Sequence, residues 1–146
     1  MKAVTGLLAL ALLAAAFPAL AGQHAFLVQN SGWMDPFYND PSSQLKPLVL
    51  RVIQQAASEQ DPIFVAAFNE EDDANESPDL LYQGNASDLQ DAVLADLTIA
   101  RKKSGAWADT DLNEAIKETV EDFFQHKPGI IWIFTNNRNS PGNDPE

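Results

Sequence analysis

The sequence predicts an α/β fold: a doubly wound, mostly parallel sheet with helices on both faces. Three observations carry this. Residues 25–28, 63–68 and 130–135 are continuous apolar runs of strand length, as strands covered on both faces are. Segments with the 3, 4, 7 spacing of an amphipathic helix lie between these runs, and alternating strands and helices imply a parallel sheet. The first strand runs directly into Ser31-Gly32, a turn of the kind that places a ligand site at the carboxyl end of a strand in such sheets.

Residues 1–21 read as a secretory signal peptide. Lys2 supplies the positive start, residues 7–17 an uncharged apolar run, and Ala19-Leu20-Ala21 a small-x-small cleavage site, so the mature chain is expected to begin at Gly22. The run is far shorter than the ~20 residues of a spanning helix. The protein is therefore expected in the periplasm or outside the cell, with no stable membrane insertion once the signal is removed. The chain has no cysteine, so neither a disulfide nor a lipidated cysteine enters the reading.

Within 22–146 the elements follow in order. Residues 25–28 form the first strand. A polar, aromatic loop with two prolines, Asp35-Pro-Phe-Tyr-Asn-Asp-Pro41, leads to a helix over 43–58 whose apolar face is Leu45, Leu48, Val49, Val52, Ile53 and Ala56. Pro47 falls in its first turn, where no intrahelical partner is lost. The second strand, 63–68, is followed by an acidic loop over 69–79 and a short edge strand at 80–82. Ser87-Asp-Leu-Gln90 has the pattern of a capping box and opens a second helix with Leu89, Val93 and Leu97 on one face. A polar loop, 101–109, precedes a third helix from Thr110 or Asp111 to about residue 125. The third apolar strand, 130–135, has no helix after it, so the domain is expected to be incomplete, truncated after its third central strand.

The whole chain carries 9 Lys and Arg against 21 Asp and Glu, a formal charge of −12. That balance excludes nucleic acid, whose phosphates require basic clusters, and anionic membrane surfaces. Such a surface suits solubility, cations or a basic partner.

Three segments resemble the von Willebrand factor type A domain family. Val28-Gln-Asn-Ser-Gly-Trp-Met34 stands where that family has an Asp-x-Ser-x-Ser loop after its first strand. Asp109-Thr-Asp-Leu112 resembles the Thr-Asp-Leu-like step that opens a helix, and Ile131-Trp-Ile-Phe-Thr-Asn136 the strand that ends in Thr-Asp-Gly. The likeness spans residues 24–140. It implies a Rossmann-like sheet and a partner-binding site built by three loops around one divalent cation, usually magnesium. Position by position, the ligand set is degenerate: Gln29 replaces the first Asp, Ser31 is kept, Trp33 replaces the second Ser, Thr110 is kept, and Asn136 replaces the last Asp. A small hard cation wants charged oxygens, and none remains at these positions.

The resulting expectation is an exported, non-catalytic binding domain with no cofactor and a protein partner. Gln29, Ser31, Thr110 and Asn136 lie at the degenerate site, and Trp33, Phe37, Tyr38 and Trp107 form an aromatic rim in loops at the same end. Thr110 also reads as a helix cap, and Gln29 and Asn136 as buried amides bonded to each other or to backbone. Two alternatives differ in chemistry. In one, the same fold binds magnesium or another divalent cation through Ser31 and Thr110 with Asp35, Asp109 or Asp111 as substitute carboxylates. In the other, the protein is a periplasmic enzyme of unknown chemistry; Ser31 lies outside a Gly-x-Ser-x-Gly elbow, and neither His24 nor His126 is placed to serve it.

Overall fold

The structure is a computed structural model that describes residues 22–139; the expected signal peptide, 1–21, and the tail 140–146 lie outside the described residues. Four strands form one sheet: β1 (Gln23–Gln29), β2 (Pro62–Phe68), β3 (Asp79–Asn85) and β4 (Gly129–Phe134). Their order is β3-β2-β1-β4. β1 pairs parallel with both β2 and β4, Val28 standing between Ala67 and Phe134. β3 pairs antiparallel with β2 and carries an irregularity opposite Val65 and Ala66. The fold is thus α/β with a mixed four-stranded sheet, compatible with a Rossmann-like fold.

The helical segments cover both faces. On one face Phe26, Val28, Ile63, Val65 and Ala67 pack under Val49 and Ile53 of helix α2 (Leu45–Ala56), with Leu94 and Leu97 closing the layer. On the other, Leu27, Ala66 and Phe68 meet Ala115 of helix α3 (Leu112–Glu118), while Ala25 and Phe64 meet Phe124. Alternate residues of one strand thus feed two cores, which is why these runs read as continuously apolar. β4 has a neighbour on one side only among the described residues, and Ile130 at its start is 49% exposed.

Four expectations need correction. The loop after Ser31-Gly32 is structured: a 3-10 turn, Gly32–Met34, runs into a short helix, α1 (Asp35–Asn39), with Pro36 in its first turn, where proline is tolerated. In α2 the predicted apolar face is one residue too wide, since Leu48 is 48% exposed. The expected second helix is two 3-10 turns, Ala86–Asp88 and Asp91–Asp96. Backbone bonds from Ala86 to Asp61 and from Ser87 to Glu59 hold its start against the loop before β2, and the buried pair Leu94 and Leu97 has the three-residue period of a 3-10 turn. The Ser87 hydroxyl accordingly points to Asp88 and caps nothing. Finally, α3 ends early, passing into a π-type turn over Thr119–Phe123. There the Thr119 hydroxyl donates back to the Ala115 carbonyl at 2.7 Å, a bond that widens or bends helices.

Among the described residues no helix is long and apolar enough to cross a membrane.

Candidate functional site

The carboxyl ends of β1 and β4 and the start of α3 meet at the side chain of Gln29. This residue ends β1 and is fully buried. Its amide nitrogen donates to Ser31 Oγ at 2.7 Å and to Thr110 Oγ1 at 2.9 Å, with the Arg138 carbonyl at 3.3 Å. Its oxygen accepts from Thr135 Oγ1 at 2.6 Å and from the Asn136 backbone N–H at 3.3 Å. Two backbone groups fix the orientation of the amide: a carbonyl can only accept and an N–H can only donate, so the nitrogen faces Arg138 and the oxygen faces Asn136. One buried side chain therefore ties together all three loops singled out in the sequence. Ser31 and Thr110 are themselves fully buried.

The arrangement corrects the helix-cap reading of Thr110. Asp111 is the cap, its carboxylate accepting from the Glu114 N–H at 3.0 Å, while the Thr110 hydroxyl turns inward to Gln29. Asn136 bonds to backbone: its nitrogen donates to the Trp33 carbonyl at 2.8 Å and its oxygen accepts from the Arg138 N–H at 3.1 Å. It meets Gln29 through its own backbone N–H and not amide to amide.

The residues present do not fit a hard divalent cation. The two hydroxyl oxygens that would be ligands point at an N–H₂ group, a donor where a cation needs lone pairs. The substitute carboxylates are engaged elsewhere. Asp109 pairs with Lys102 at 2.5 Å, which raises the Lys102 pKa. Asp111 caps α3, and Asp35 accepts from Asn39 at 2.5 Å on the exposed side of α1. Among the described residues no three His, Cys, Asp or Glu side chains cluster as a metal would require. His24 lies at the far end of β1, its Nδ1 accepting from Trp132 Nε1 at 3.0 Å, and Lys127 and Pro128 separate His126 from the start of β4.

Above Gln29 the surface is aromatic. Trp33 is 46% exposed, and Phe37 and Trp107 are each 47% exposed. With Gly32, Asp35, Pro36, Asn136 and Arg138 they line an open cleft of about 470 Å³. A neighbouring groove of about 620 Å³ runs between α1, the start of α2 and the end of β4, with Phe37, Leu48 and Phe134 among its walls. Tyr38 is the exception in the expected rim. It packs against the core, and its hydroxyl donates to the Gln29 carbonyl at 2.9 Å. Burial pushes its phenol pKa well above the ordinary range, so it stays a donor.

Sequence reading missed four contributors. Thr135 anchors the Gln29 oxygen. Asn30 and Asn69 join the ends of β1 and β2 through a 3.0 Å bond, and Asn30 reaches the Thr98 carbonyl at 3.1 Å. Arg138 lays its guanidinium over the Trp33 ring, 4.6 Å from the centroid. The available signal for Arg138 was a lone basic residue just past the last apolar strand.

Gly32 fixes how closely these loops approach. Its N–H donates to the Ala108 carbonyl at 3.0 Å, and a Cβ at this position would lie 2.3 Å from the Cβ of Trp107. Because that atom is the root of a side chain, the whole 101–109 loop must give way. Gly32→Ala is expected to cost about 1–3 kcal/mol and to shift Trp107 fluorescence; urea unfolding followed by emission would measure both. A variant with wild-type stability and spectrum would mean that the loop is not held against Gly32.

No protein family model matches the chain, and neither the curated proteins nor the solved structures contain a match to it.

Proposed function

We propose that this protein is an exported, non-catalytic binding domain of the von Willebrand factor type A kind, in which a side-chain amide replaces the cation. The observation that carries the reading is the Gln29 amide, bonded at once to Ser31, Thr110 and the Thr135–Asn136 step. Those are the three loops that the resemblance brings together around an ion. A neutral amide supplies two N–H donors and one acceptor in fixed directions, so it holds the loops without a charge to be desolvated. The exposed aromatic rim above it is the partner-facing surface; Trp and Phe at a cleft mouth bury much area at low entropic cost on binding. A cation-dependent form of the domain draws less support, because Asp109 and Asp111 already have partners.

The test is to restore the carboxylates. Gln29→Asp with Asn136→Asp should make the melting temperature rise with magnesium, whereas the native protein should not respond. At magnesium tenfold above Kd the gain is about 1.4 kcal/mol, or roughly 5–6 °C for a domain of this size. A native protein that shifts by several degrees with magnesium or calcium, and loses the shift in Asp109→Asn or Asp111→Asn, would replace this reading with the cation-dependent one.

A further inference from the structure

We propose that the aromatic cleft binds a protein segment carrying a single carboxylate beside an aromatic side chain, with Arg138 receiving the carboxylate. This rests on the reading of that end of the sheet as the binding face and goes beyond it by naming the partner's chemistry. The Arg138 guanidinium lies over the Trp33 ring, 4.6 Å from its centroid, and is in no ion pair among the described residues, whereas Lys102 and Lys117 are paired with acids. A guanidinium presents its N–H donors in a planar fork that matches a carboxylate bidentately.

The other walls decide the rest of the ligand. Phe37, Trp107 and Pro36 give the cleft apolar sides, which suit a ring or a branched side chain next to the anion. Arg138 is the only basic residue among those lining the cleft, and Asp35 is the only acidic one. One cation and one acid in the cleft, on a chain of net charge −12, disfavour a doubly charged phosphate relative to a carboxylate. The Arg138 backbone also serves the site beneath: its carbonyl faces the Gln29 amide and its N–H bonds to Asn136. The guanidinium thus projects from a segment already tied to the three-loop junction, so little ordering is left for binding to impose.

The probes are two blocked tetrapeptides, Gly-Phe-Asp-Gly and Gly-Phe-Asn-Gly, titrated against the purified protein with tryptophan emission as the readout. The Asp peptide should saturate with a dissociation constant of about millimolar, and the Asn peptide should bind at least about tenfold more weakly, as expected when a charge-assisted bond is lost. Arg138→Gln should bind the Asp peptide no better than the native protein binds the Asn peptide. Arg138→Lys, which keeps the charge but not the fork, should fall between. Arg138 is exposed, so an unchanged melting temperature verifies that these variants fold. Equal binding of both peptides, or an Arg138→Gln variant that binds like the native protein, overturns the carboxylate proposal. If Trp33→Ala then loses both peptides, the cleft remains a binding face and the broader reading survives. If neither peptide saturates, the proposal falls along with the assignment of the aromatic rim as the partner surface.

Discussion

Gln29→Leu should destabilise the domain by about 3 kcal/mol, although leucine has nearly the same volume and leaves no large cavity. The loss comes from polar groups left behind. Ser31 and Thr110 are fully buried, and each would face an apolar side chain in place of an N–H donor. A buried polar group left without its partner costs about 1–3 kcal/mol. The Thr135 hydroxyl and the Asn136 N–H lose their acceptor as well, but Thr135 is solvent-exposed and water takes over at little cost. Urea unfolding at neutral pH would measure the change. The carboxyl-end loops should also lose protection against hydrogen exchange before the sheet does, because the junction is what ties them together. A loss below about 1 kcal/mol would show that the amide does not bridge the loops, and the reading of Gln29 as a replacement for the ion would go with it.

Phe68→Ala should cost about 3–5 kcal/mol, the usual range for a buried phenylalanine. Phe68 ends β2 with no exposed surface and packs with Leu27, Ala66 and Ala115. Two of those neighbours are alanines, too short to collapse into the space, so the cavity should persist. Since domains of this size are stable by only about 5–15 kcal/mol, the variant should be partly unfolded near physiological temperature. Its carbonyl also accepts from Asn30 N–H at 2.9 Å, so movement of the strand end reaches the loop that carries Ser31. A shift of the urea midpoint worth less than about 2 kcal/mol would indicate that α3 settles onto the sheet to fill the space.

The strands were legible because burial on both faces leaves an unmistakable mark: residues 25–28, 63–68 and 130–135 are apolar without alternation, and each falls on an observed strand, only residue 135 lying beyond its end. β2 and β4 pair with β1 side by side in the sheet. α2 was legible for the matching reason, a helical period with one apolar face, although exposed Leu48 shows that an apolar residue on the right face need not be covered. Residues 87–97 were misread because helical spacing and a capping pattern are local, whereas the Ala86 and Ser87 bonds that fix the backbone there come from the far loop at Glu59 and Asp61. The short helix at Asp35–Asn39 was hidden behind two prolines and polar residues that read as loop.

The sequence by itself determined the α/β class and the place of Gln29 and Ser31-Gly32 at the carboxyl end of the first strand, because strand burial and residue identity are written position by position. Only the tertiary structure decided what those side chains do. Gln29 lies 81 residues from Thr110 and 106 from Thr135 along the chain, and no local pattern says that one amide will satisfy both. Nor does the sequence say that Asp111 caps α3 while its neighbour Thr110 turns inward, or that Arg138 lies on Trp33. Those outcomes depend on the parallel pairing of β4 with β1, which brings the segment after β4 beside the segment after β1. A buried polar group then takes whichever partner the folded backbone places within reach, because leaving it unpaired costs more than any local preference can return.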